Sequence, residues 1–190
     1  MKKTYAFDQT LKNQNYTEIR LHKGEYENCI FDGCDFSNGY LDNQNFAECE
    51  FIDCNLSNAN IAHTIFNDVV FSHCKMMGLK FETLNDFLLS FRFNDCTLNL
   101  SSFYQMQLKN IQFVECKFVE ADFTEANLTK ALFGNCDLKN TVFENSILQE
   151  VDFRTAYNLS FDPDKNRIKK AKFSKEGALG LLAKYGIDIE

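Results

Sequence analysis

The chain has 190 residues, 45% of them hydrophobic, which suits one domain, or one domain with an appendage, around a sizeable core. Its 27 acidic and 20 basic groups leave a net charge of −7, which argues against direct nucleic-acid binding, because phosphates would be repelled, and permits a basic partner. The sequence shows no apolar run of about eighteen residues, and MKKTYAFDQT starts basic without an apolar stretch behind it, so neither a membrane span nor a secretory signal is expected and the chain reads as cytoplasmic.

Phe occurs twenty times, Pro once and Trp never. From Leu11, steps of five residues land on Tyr16, Leu21, Tyr26, Phe31, Phe36, Leu41, Phe46, Phe51, Leu56, Ile61, Phe66, Phe71, Met76 and Phe81, all large and apolar. The register then slips by two residues within Glu82–Phe87. It resumes at Leu88 and continues through Phe93, Leu98, Phe103, Leu108, Phe113, Phe118, Phe123, Leu128, Phe133, Leu138, Phe143 and Leu148 to Phe153. A period of five fits neither the helical 3.6 nor the strand 2.0.

A second set lies two residues before each large position. It holds all eight cysteines, namely Cys29, Cys34, Cys49, Cys54, Cys74, Cys96, Cys116 and Cys136, together with Ala59, Ser101, Ala121, Ala126, Ala131, Thr141 and Ser146. Both sets are expected to point inward, the large residue filling the centre and the small one fitting beside it. Between them often stands Asn or Asp, as at Asp35, Asn45, Asn55, Asn60, Asp122, Asn127, Asp137 and Asp152, residues that favour turns and tolerate unusual φ/ψ. A longer period of twenty aligns Phe31, Phe51 and Phe71, and likewise Phe103, Phe123 and Phe143. The chain should turn a corner every five residues and return above its start after four, stacking like on like.

The five-residue repeat fails at Asn158, so the division expected is a solenoid over 1–160 and a tail over 161–190. In the tail Ser174 is a candidate N-cap and Gly186 a candidate C-cap; Ala178, Leu181, Leu182 and Tyr185 share one helical face. Gly177 and Gly180 weaken such a helix, which should form by packing over the open end of the solenoid. The apolar residues exceed what a cap needs. A homodimer through the tail is therefore expected, with Leu179, Leu182, Tyr185 and Ile187 at or beside the interface, and Ile187 and Ile189 could add an edge strand across it.

No catalytic, cofactor-binding or metal-binding residue is expected. His22, His63 and His73 form no HExxH pattern and read as solvated surface. The Cys spacing follows the repeat, so the thiols read as buried, reduced fillers and not as zinc ligands or disulfides. No phosphate loop or nucleophile elbow is present.

The stretch Ala121–Asn140, ADFTEANLTKALFGNCDLKN, resembles the pentapeptide-repeat family, whose motif is a small residue, Asp or Asn, Leu or Phe, then two polar residues. The resemblance runs from about Leu11 to Phe153 and implies an all-β fold, a right-handed quadrilateral parallel β-helix. At about 4.8 Å per coil the repeat would make a rod of about 35 Å. The tail, with Asp162-Pro163, the Asn166–Lys170 run and the Gly-Leu-Leu segment, resembles the quinolone-resistance (Qnr) group, and the absence of long loops resembles its Gram-positive members. That resemblance implies a tail-to-tail dimer shaped and charged like B-form DNA. The same resemblance implies binding to DNA gyrase and topoisomerase IV and their protection from fluoroquinolones; the alternative is a generic scaffold or a toxin-immunity protein with a different partner. Residues 159–190 carry a net +2 and the remainder a net −9, from 22 acidic and 13 basic groups. A 35 Å length of B-DNA carries about twenty charges, so mimicry is close in number of acidic groups and about half in net field.

Overall fold

The computed structural model describes residues 4–188, and the chain forms two compact units, 1–98 and 99–190. The first contains β1 (Thr4–Phe7), β2 (Thr10–Lys12), β3 (Gly24–Glu27), β4 (Ile30–Asp32), β5 (Asn45–Ala47), β6 (Glu50–Ile52), β7 (Ile65–Asn67), β8 (Val69–Ser72) and β9 (Phe91–Asn94). They form two parallel sheets, β1-β3-β5-β7 and β2-β4-β6-β8-β9. Pairing is offset by twenty residues, Tyr26↔Phe46↔Phe66 in one sheet and Leu11↔Phe31↔Phe51↔Phe71 in the other. Isolated parallel bridges, Asn15↔Asp35↔Asn55↔Lys75 and Tyr40↔Asn60, close the other two sides. This is the expected four-sided parallel β-solenoid.

The second unit repeats the plan with β10 (Gln112–Val114), β11 (Leu132–Gly134), β12 (Asp152–Phe153) and β13 (Lys172–Phe173), all parallel, followed by α1 (Lys175–Gly180). Bridges Ser102↔Asp122↔Val142, Lys117↔Asp137↔Tyr157 and Gln107↔Asn127↔Ile147↔Arg167 supply its other sides. The ladder therefore runs past Asn158. A short 3-10 turn, Pro163–Lys165, capped by the Asp162 carboxylate, lies within this coil, and the offset of twenty holds at Arg167 and Lys172.

The fifteen Phe of the two series are each at most 2% exposed. Along a column the rings stack at the coil spacing: Phe31–Phe51 at 4.7 Å and 10°, Phe103–Phe123 at 4.6 Å and 5°. Between columns they meet edge to face, as Phe46–Phe51 do at 5.3 Å and 75°. Both arrangements suit the ring quadrupole. The eight Cys are buried thiols. Their place in the repeat has a polar reason as well as a steric one. The Cys54 thiol donates to the Phe31 carbonyl at 3.2 Å, Cys74 to Phe51 at 3.3 Å and Cys136 to Phe113 at 3.5 Å. The Thr141 and Ser146 hydroxyls make the same bond, to Phe118 and Phe123, at 2.8 and 2.9 Å. Burial pushes the Cys49 thiol up to about 12.

Two expectations need correction. The interposed Asn and Asp do shape turns, accepting from the backbone N–H two residues on, as Asp122 does from Thr124 at 2.8 Å. The left-handed conformation, however, falls three positions later, at the corner, on residues of many types: Glu125 at φ 58°, Lys130 at 62°, Leu100 at 60°, His63 at 59°. And Leu88 does not restart the inward series. It is 59% exposed with φ 55°, at a turn in which the Leu89 N–H donates to the Asp86 carbonyl at 3.4 Å. The two extra residues bulge outward here, which is why pairing across the slip is offset by twenty-two, Val69↔Phe91 and Phe71↔Phe93. Phe91 turns inward instead, 7% exposed, at a position held in the other coils by a smaller residue, with its ring 5.9 Å from Phe81 and 5.1 Å from Phe93.

Candidate partner-binding surface

With two of every five residues spent on the core, the other three face outward, and their chemistry differs between the units. The first has fourteen acidic and eight basic groups, a net of −6; the second has thirteen and twelve, a net of −1. Between Lys23 and Lys75 there is no Lys or Arg, while nine carboxylates occur: Glu25, Glu27, Asp32, Asp35, Asp42, Glu48, Glu50, Asp53 and Asp68. Among the described residues, cations from outside the stretch reach Asp32, Asp42 and Asp68: Lys12 at 2.8 Å, Lys23 at 2.7 Å and Arg92 at 3.0 Å. Asp42 is the least exposed of these; burial raises its pKa, but hydrogen bonds from Lys23 and Asn43 outweigh that and hold the carboxyl below the usual range. Glu48 and Asp68 occupy left-handed corners of successive coils, at φ 54° and 52°, and Glu50 opens β6. A whole-chain charge count averages this stretch away; a segment count finds it.

The tail carries the other expected site. Ser174 caps α1 by accepting from the Gly177 N–H at 2.9 Å, and Gly186 closes the tail with φ 58°, both as expected. The helix is shorter than the sequence suggests. A Cβ on Gly180 would lie 1.8 Å from the Leu159 carbonyl oxygen, so glycine is required where the helix meets the last coil. Beyond it the chain tightens into a 3-10 turn, Ala183–Tyr185. The Leu182 N–H bonds Leu179 and the Tyr185 N–H bonds Leu182, at 2.9 and 3.0 Å, so i, i+3 spacing eclipses these three in one row and replaces the α-helical face expected. Leu179, Leu182, Tyr185 and Ile187 are 47, 37, 61 and 54% exposed. Ile187 lies in no strand, and Ile189 lies outside the described residues. Lys184 fastens the tail to the 3-10 turn below it, bonding Asp162 at 2.7 Å and also Asp164. From Lys165 to Lys175 inclusive, six basic residues occur and no acidic one.

His63 and His73 sit exposed at coil corners, His73 Nδ1 3.7 Å from the Asp53 carboxylate. Among the described residues, no group of three or more His, Cys, Asp or Glu is placed to hold a metal ion, and no helix is long and apolar enough to cross a membrane.

A family model described as pentapeptide repeat region matches residues 44–113 and 86–157, together more than half of the chain. The chain belongs to the pentapeptide repeat family. Comparison with curated protein sequences gave no significant match. Among solved structures this pentapeptide repeat protein is similar in fold to QnrB1, a plasmid-mediated fluoroquinolone resistance protein. One trypsin-treated variant aligns at a TM-score of 0.63 and 17% identity, covering 99% of this chain and 98% of that one. A second trypsin-treated variant aligns at 0.62 and 16%, covering 100% of both chains. The full-length form aligns at 0.56 and 16%, covering 97% of this chain and 100% of that one.

Proposed function

We propose that this protein acts in the cytoplasm as a DNA mimic that occupies the DNA-binding surface of type II topoisomerases, DNA gyrase or topoisomerase IV, and protects them from fluoroquinolones or similar poisons. The observation that carries the reading is the acid-only stretch 24–74. Its 51 residues make about two and a half coils, or about 12 Å, a length of B-DNA that carries about seven charges. The stretch holds nine carboxylates and no Lys or Arg of its own, and Lys12, Lys23 and Arg92 from outside it each pair with one of the nine. The stretch's own carboxylates are thus at least as dense as the charges of DNA, whereas residues 1–158 taken together, at a net −9, reach about half. The exposed row Leu179, Leu182 and Tyr185, with Ile187, supports a homodimer through the tail, since an isologous contact is the commonest way to cover such a patch.

The experiment is binding of immobilised gyrase across a salt series. Glu48→Lys with Glu50→Lys should weaken binding at least tenfold and flatten its salt dependence. Unchanged affinity in the double variant would remove the acidic stretch from the interface. Light scattering at micromolar concentration should give a dimer for the intact chain and a monomer after deletion of 174–190; an intact monomer would remove the dimer.

A further inference from the structure

The first coil ends in a cavity of about 470 Å³, within the range of small-molecule sites. Its origin is a break in an aromatic column. Phe66, Phe46 and Tyr26 stack at 5.6 and 5.4 Å. The next place in that register is Ala6, which pairs with Tyr26 in the parallel ladder. The Ala6 carbonyl accepts from the Cys29 thiol as the Tyr26 carbonyl accepts from Cys49, so Ala6 holds a true core position. A methyl group thus stands where the next three coils each place a ring.

The surrounding parts are fixed. The Tyr26 hydroxyl donates to the His22 carbonyl at 2.6 Å, which sets the ring's tilt and leaves its outer face towards Ala6. Tyr16 stacks on Phe36 at 4.8 Å and 9° and is itself only half-buried. β1 is held close because residue 24 is glycine; a Cβ there would lie 2.1 Å from the Thr4 carbonyl oxygen. Arg20 brings a guanidinium to the cavity's edge, stacked over the Tyr40 ring at 3.6 Å, and among the described residues no carboxylate lines the cavity.

We infer that this cavity is a binding site for a small, uncharged, planar aromatic molecule, which stacks on Tyr26 and supplies the ring that Ala6 omits from the column. The stack dictates the ligand: a flat π-face at ring spacing, between largely apolar walls that, among the described residues, include no carboxylate. The site is independent of the topoisomerase reading.

Indole is a suitable probe, because the protein has no Trp and the probe's fluorescence is free of background. Wild-type protein should bind it saturably, and the ring-proton resonances of Tyr16 and Tyr26 should shift while those of Tyr157 and Tyr185 stay. Ala6→Phe completes the column, and should keep the fold and weaken indole binding at least tenfold. Absence of saturable binding, equal binding by Ala6→Phe, or shifts confined to Tyr157 or Tyr185 would each overturn the inference. So would a wild-type oligomer that Ala6→Phe dissociates, since the missing ring would then come from a second copy. The tyrosine shifts require no variant, so the inference stays testable if Ala6→Phe does not fold.

Discussion

Each central side chain is held twice, by ring stacking along its column and by edge contacts to the neighbouring columns. Phe123 stacks between Phe103 and Phe143, at 4.6 and 5.4 Å, and meets Phe133 edge-on at 5.8 Å. Phe123→Ala should therefore cost about 3–5 kcal/mol by leaving a cavity that closed coils cannot collapse into. Glu125→Ala, two residues on, should cost less than about 0.5 kcal/mol, since its contact with Gln105 is exposed. Denaturant melts of the two variants check the assignment; equal losses would contradict it. The thiols are held as firmly. Their protons bond backbone carbonyls, as that of Cys49 bonds Tyr26, and burial holds Cys49 at about 12, so its own reactive thiolate is scarce at neutral pH. A thiol reagent should react little with native protein and with all eight thiols after denaturation. Rapid native labelling would show that the core opens.

Two elements depart from the plain repeat. At the slip, Phe87 and Leu88 are exposed on the Asp86–Leu89 turn, and the inward Phe91 fills space the turn gives up. Leu88→Gly should be neutral or stabilising by up to about 1 kcal/mol, because glycine adopts the left-handed conformation without a Cβ clash. Leu108→Ala, at a buried place in the same series, should cost about 2–5 kcal/mol; similar thermal shifts in the two variants would return Leu88 to the core. At the tail, hydrogen bonds from Lys184 hold the Asp162 carboxyl below its usual range, and those to Asp162 and Asp164 raise Lys184 above its own. A depressed carboxyl stabilises docking above its unfolded pKa of about 3.9 and loses that effect as pH falls through the folded value; a raised lysine stabilises below about 10.4 and loses it as pH rises through its folded value. Docking should be flat between about pH 5 and 9 and weaken at both ends. Amide exchange of residues 177–185, corrected for intrinsic pH dependence, checks this. Lys184→Met should remove the pH dependence; its persistence would place the control elsewhere.

At the scale of the whole molecule, the solenoid was legible because its core uses one residue type at one spacing, so Phe31, Phe51 and Phe71 announce both the corner and the coil. Leu88 was misread because an exposed turn leucine and a core leucine look alike within the series, and only backbone hydrogen bonds separate them. The left-handed corners were not legible, since Glu125, Lys130 and Leu100 carry no shared signal; stacking of whole coils imposes their conformation. The acidic stretch was legible in the gap between Lys23 and Lys75. The tail row was partly so, because the close approach of Gly180 to Leu159 shifts the helical face. What the molecule does rests on whether its acidic coils displace DNA from a topoisomerase. The most direct measurement is gyrase supercoiling at an inhibitory ciprofloxacin concentration, titrated with the intact protein. The account predicts that supercoiling recovers over a window of protein concentration, and that Glu48→Lys with Glu50→Lys shifts this window upward at least tenfold. Supercoiling that stays inhibited at every concentration of correctly folded protein would contradict it.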